Sequence, residues 1–137
     1  MVYLTRKERF SAAHRMCRDD WDDAKNYEVF GPCSNPNWHG HNYVLWVTVK
    51  GEVSKQTGYV VDMKKLSAVI KGHVIEKVDH KNLNSEVSFL QNKIVSAEII
   101  VVAFWEQLEQ QISLLGAQLH SLKLEETENN YVEYFGH

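Results

Sequence analysis

Three histidines and a cysteine carry the chemistry that can be read from this chain before any fold is known. His39 and His41 lie in the run Cys33-Ser-Asn-Pro-Asn-Trp-His39-Gly-His41-Asn-Tyr43, and His14 lies upstream in Phe10-Ser-Ala-Ala-His14. Side chains alternate along a strand, so a His-x-His pair on extended backbone points both rings to one face. Two imidazoles on one face are half of a zinc site. A third from another strand would give the three-ligand arrangement, with one open position, that a catalytic zinc uses. Gly40, without a Cβ, lets the backbone bend around such a site. A lone histidine is more often a core or surface residue than a ligand, and seven in one chain give chance pairs. His-Gly-His alone therefore also fits a strand-end pair with no metal.

Cys33 stands six residues before His39. Most free cysteines behave as small buried hydrophobes, but this one sits in a loop, Gly31-Pro-Cys33-Ser-Asn-Pro36. A loop thiol beside a cation ionises more readily and can act as a base. Asp79-His80 follows the end of a predicted helix. A carboxylate that orients and charges an imidazole makes it an acid or base near neutral pH, although an ordinary turn with a capping Asp has the same sequence. Glu126 alternates with Leu122 and Leu124 near the end of a predicted strand. There a carboxylate is either solvated or accepts two N–H bonds from a flat heterocycle.

The elements that must position these residues follow from patterning. His41 to Val49 reads as a strand, with His41, Tyr43, Leu45, Val47 and Val49 on one face and both faces largely apolar. Tyr3 to His14 reads as a second strand. Asp22 to Phe30 holds a short helix stopped by Gly31. Asp62 caps a helix whose apolar residues, Met63, Leu66, Ile70 and Val74, recur at helical spacing to about Val78. A longer helix starts at Ser96 and runs to about Leu115, closed by Gly116. Two strands joined at Glu128-Asn-Asn130 finish the chain, with His120 expected beside Leu122 and Leu124. The order β-β-α-α-β-β predicts an α+β fold. It is a four-stranded antiparallel sheet with two helices on one face, and the other face, rich in Trp and Tyr, is left for a partner to cover.

Composition narrows the rest. A length of 137 residues fits one domain, 1–137. A formal charge of −3 without basic clusters argues against a nucleic-acid partner. No apolar run approaches the ~20 residues of a membrane span, and the N-terminus lacks the apolar core of a secretory signal. Two cysteines are no disulfide framework, so a reduced, cytoplasmic setting is expected.

Five segments in order carry a resemblance. They are Phe10-Ser-Ala-Ala-His14, Phe30-Gly-Pro-Cys33, Asn35-Pro-Asn-Trp-His39-Gly-His41-Asn-Tyr43, Val78-Asp79-His80-Lys-Asn-Leu-Asn84 and Glu126-Thr-Glu-Asn-Asn130. From about Tyr3 onward the chain resembles the 6-pyruvoyl-tetrahydropterin synthase and 6-carboxytetrahydropterin synthase family of the T-fold group. The resemblance implies zinc on His14, His39 and His41, with Cys33 as general base and Asp79 with His80 as the other half of the proton-transfer set. Glu126 would anchor the pterin ring, with Thr127 beside it and Ser96 near the substrate. It also implies that three sheets close into a barrel, two trimers stack as a hexamer, and active sites lie between subunits.

The implied reaction converts 7,8-dihydroneopterin triphosphate by loss of triphosphate and internal redox of the side chain. No nicotinamide or flavin is needed, and no Gly-rich dinucleotide fingerprint is present. The alternative is a 6-carboxytetrahydropterin synthase of queuosine synthesis, which releases acetaldehyde. The Cys33-to-His39 spacing is closer to the pyruvoyl enzymes. A non-catalytic pterin-binding zinc protein is the third reading, but it has no use for Cys33, Asp79 and His80 together. Two positions depart from the vertebrate pattern: Trp38, where Gly is usual, and Ala97, where a hydroxyl residue is commoner.

Overall fold

The computed structural model describes the whole chain, Met1–His137. Five strands form one sheet in the order β3-β1-β2-β4-β5. Strand β1 (Val2–His14) and strand β2 (His39–Gly51) pair antiparallel along their full length, so that His14 faces His39 and Ala12 faces His41. Strand β4 (Gln118–Thr127) flanks β2, and β5 (Asn130–Tyr134) closes that side. The four long strands are those expected. The fifth, β3 (Lys81–Asn82), is two residues that run parallel to β1 beside Ala12 and Ala13. A stretch that short has no period of its own, which is why patterning passed over it.

Helices α1 (Asp23–Phe30), α2 (Met63–Ile70) and α4 (Ala97–Ser113) start at Asp22, Asp62 and Ser96, each accepting a backbone N–H from the first turn. Helix α2 continues through a π-helical turn, Lys71–Ile75, into the single turn α3 (Glu76–Val78). Leu66 and Ile70 of α2, with Ile100, Phe104, Leu108 and Ile112 of α4, are fully buried against Leu45, Val47, Leu122 and Leu124 of the sheet. That layer is the core, and it covers one sheet face only.

The other face is less apolar than its Trp and Tyr content suggests. Lys7 and Lys123 lie over the Trp46 ring at 5.1 and 4.7 Å, and the Thr5 and Thr48 hydroxyls bond at 2.7 Å. Lysine stems cover the aromatic surface while their charges stay in water.

Two bulges correct the simple alternation of β4. Val49 pairs with Leu119 and Thr48 with Ser121, leaving His120 as an extra residue. The expected face is therefore broken at His120: Leu119 turns to the core, and the His120 ring packs on Tyr3 and Phe135. The second extra residue is Glu126, between pairs Glu125–Tyr131 and Thr127–Asn130. A bulge bends the strand and re-aims the side chain it carries.

Candidate metal centre

The register of β1 on β2 assembles the histidines. His39 and His41 are two apart on β2, and His14 lies opposite His39. All three rings therefore share the core face at the end of the strand pair, with centroids 4.5, 5.1 and 4.9 Å apart. One ring nitrogen from each can be chosen so that all lie within 4.8 Å of one another. Gly40 serves close approach rather than a bend. It pairs with Ala13 in regular strand, and a Cβ there would come 3.3 Å from the Ala12 carbonyl oxygen.

The donor set fits a metal ion. His14 Nδ1 is 2.7 Å from the Val95 carbonyl oxygen. A carbonyl only accepts, so Nδ1 carries the proton and Nε2 presents its lone pair. Nε2 of His14, Nδ1 of His39 and Nε2 of His41 are all buried without a hydrogen-bond partner. Burial, with smaller contributions from its two neighbours, pushes His14 down to about 4 against the Val95 bond, which acts the other way. His39 is also lowered, by burial first and then by His41. Neutral imidazoles with free lone pairs are what a divalent ion requires.

Glu126 belongs to this centre. Its Oε1 approaches His41 Nε2 to 3.5 Å without hydrogen-bond geometry. Tyr43, two residues beyond His41, stacks on Phe10 at 4.7 Å and faces the His41 and His14 rings at 5.5 and 6.2 Å. Burial, and then the Glu126 charge, push its hydroxyl upward. Thr127, by contrast, is engaged in the β4–β5 turn, donating to Asn130 and accepting from the Asn129 N–H. The Ser96 hydroxyl accepts from the Ile99 N–H as the cap of α4.

Cys33 occupies a 3-10 turn, Gly31–Ser34, and is exposed. Its loop is tied to the chain just past His14. The Met16 N–H donates to the Cys33 carbonyl at 2.8 Å, and Arg15 donates twice to the Ser34 carbonyl at 3.2 and 2.8 Å. Asn84 in turn clamps both backbone groups of Arg15. Arg15, Asn84, Val95 and Tyr43 were missed from sequence. Tyr43 alone had a legible signal, its alternation with His41.

Asp79 and His80 lie elsewhere. Asp79 Oδ1 accepts from the Ser11 N–H at 2.9 Å, and the His80 N–H donates to the Ser11 carbonyl at 2.6 Å. Both thus dock on the outer edge of β1. Asp79 is 3.0 Å from His80 Nδ1, and the His80 side chain is 82% exposed. It borders a depression lined by Ser11, Ala12 and Ala13 of β1 and by His41 and Asn42 of β2. The Ser11 bond first, then His80, hold the Asp79 carboxyl below its ordinary value. A single chain therefore carries the Cys33 loop tied just past His14 and the Asp79–His80 pair on the outer edge of β1.

The sequence matches the 6-pyruvoyl tetrahydropterin synthase family over residues 3–137. It is 36% identical to a 6-pyruvoyl tetrahydrobiopterin synthase of Drosophila melanogaster, covering 99% of this chain and 80% of that one. It is 35% identical to the Homo sapiens 6-pyruvoyl tetrahydrobiopterin synthase, covering 97% and 90%. The solved 6-pyruvoyl tetrahydropterin synthase of Caenorhabditis elegans superposes with a TM-score of 0.92 at 38% identity, covering 99% and 96%.

Proposed function

The chain belongs to the 6-pyruvoyl tetrahydropterin synthase family, and from that premise we propose that it is a zinc-dependent lyase acting on 7,8-dihydroneopterin triphosphate. The observation that carries this reading is the trio of buried, unpaired histidine nitrogens with the Glu126 carboxylate beside it. His14, His39 and His41 hold the ion, and a three-imidazole donor set is one that a catalytic zinc uses. When bound, zinc supplies Lewis acidity toward the oxygens of the substrate side chain.

The chain's own residues do the rest. Glu126 accepts two N–H bonds from the amino-lactam edge of the pterin, with Thr127 and Ser96 near the substrate. Cys33 removes a carbon-bound proton of the side chain, and triphosphate leaves. Asp79 orients and charges His80 through Nδ1, and the pair moves the proton that completes the shift to the diketone. Atoms and electrons balance without a redox cofactor: one carbinol carbon of the side chain becomes a ketone as the ring C6=N5 bond is reduced, and the other becomes a ketone as the carbon that loses triphosphate becomes a methyl group.

The Asp79–His80 pair, on the outer edge of β1 with the His80 ring open to water, supports a site completed by a neighbouring copy. We take the assembly to be a hexamer, two trimers whose sheets close into barrels, in the cytoplasm. No helix is long and apolar enough to cross a membrane.

Incubating the zinc-loaded protein with 7,8-dihydroneopterin triphosphate and weighing the pterin product tests this. A pyruvoyl-tetrahydropterin is expected. A carboxytetrahydropterin with acetaldehyde would move the chain to queuosine synthesis, and no product with zinc bound would leave a binding protein.

A further inference from the structure

Tyr43 is the one buried group in this centre that neither the metal ligands nor the proton-transfer set accounts for. Its residue is 1% exposed and its ring is part of the core, stacked on Phe10. Phenylalanine would pack there equally well. The hydroxyl is nonetheless present, buried, and without a hydrogen-bond partner in the protein. Burying a hydroxyl unpaired destabilises a fold, so such a group calls for an explanation outside the packing.

Its surroundings supply one. The ring stands beside His41 and His14, and the Glu126 carboxylate lies 3.5 Å from His41 Nε2. The free lone pairs of the trio serve a cation. Glu126 is an acceptor only. A neutral phenol is the donor that this set otherwise lacks. A ligand that gives N–H groups to Glu126 and places oxygens over the trio leaves an oxygen lone pair to be met.

The geometry points to Tyr43 as a specificity-determining residue whose O–H donates to a side-chain oxygen of the pterin held between the trio and Glu126. This rests on the pterin reading above. A site that reads a hydroxyl by hydrogen bonding rejects analogues that lack it, because its own polar group is then left unpaired.

The test compares zinc-loaded wild type with Tyr43→Phe, using two probes: neopterin, with side-chain hydroxyls, and pterin without a side chain. Three readouts are taken: zinc content, Tm without ligand, and the Kd of each probe. The variant is expected to keep its zinc and to gain about 2–4 °C in Tm, because an unpaired buried hydroxyl is gone. Its neopterin Kd should rise about tenfold, with pterin binding unchanged. Equal weakening of both probes would overturn the inference, because the acceptor would then lie on the ring and not on the side chain. Unchanged neopterin binding would overturn the inference, as would a fall in Tm, which would mean that the hydroxyl holds the fold. Wild-type protein that binds neither probe refutes the pterin reading instead, and the Tm shift still reports whether the hydroxyl is unpaired.

Discussion

The two chemical regions of this molecule are built in opposite ways. The histidine trio sits inside the β1–β2 register, with His14 buried and its tautomer fixed by the Val95 carbonyl. The Asp79–His80 pair hangs on the outer edge of β1, with the His80 ring open to water. The first region is finished within one chain, since its donors converge with nothing added. The second is oriented but open to water. A rigid sheet can preorganise a metal centre, whereas a residue pair on a strand edge is placed to be offered to something else.

Breaking the finished region should have the largest effect. His39→Ala is expected to lose zinc while keeping its fold, since two imidazoles do not replace three. Metal analysis after gel filtration checks this, and wild-type zinc content would remove His39 from the ligand set. Cys33→Ala separates metal from proton transfer. Zinc content and pterin affinity should stay, while kcat falls about 100-fold or more. An unchanged kcat would remove Cys33 from the reaction.

Acid should act on the same contrast. In metal-free protein His14 is held down to about 4 from an ordinary 6.5. Between those values the unfolded chain takes up a proton that the folded chain refuses, so the stability present above 6.5 is lost as pH falls toward 4. His39 acts in the same direction. The Tm of metal-free protein should therefore drop across that window. A flat Tm from pH 7 to 4 would mean that His14 is not buried neutral.

The smallest effect is expected at Trp38. It holds a φ of +68°, with the Arg15 guanidinium 5.7 Å from its ring centroid. The left-handed region costs a non-glycine residue about 1–2 kcal/mol. Trp38→Gly relieves that strain but loosens the unfolded chain and gives up the Arg15 contact. A net gain of at most about 1 kcal/mol in denaturant unfolding is expected. Destabilisation by more than that would show that the ring packs beneath the loop.

The finished region was also the legible one. His39-Gly-His41 announces its own face because strand alternation is local, and the Ser96, Asp62 and Asp22 caps are local for the same reason. Sequence reasoning failed where one element depends on a distant one. The two β4 bulges answer to pairing with β2 and β5, so the displacement of His120 and the re-aiming of Glu126 have no signature in the strand itself. The Val95 carbonyl and the Asn84 side-chain clamp are partners brought from more than sixty residues away. Asp79 and His80 were recognised as a pair by type, but their place on the edge of β1 is set by the bonds to Ser11.

Complementation between two inactive variants tests the central claim, that one active site draws these regions from different copies. Cys33→Ala and His80→Ala are made separately, then co-expressed so that mixed oligomers form, and turnover is measured per zinc. If neighbouring copies share a site, random mixing gives intact sites and about a quarter of wild-type turnover returns. If both regions serve one site within a single chain, every site lacks one group. The mixture would then be no more active than the two variants apart, which would contradict the account.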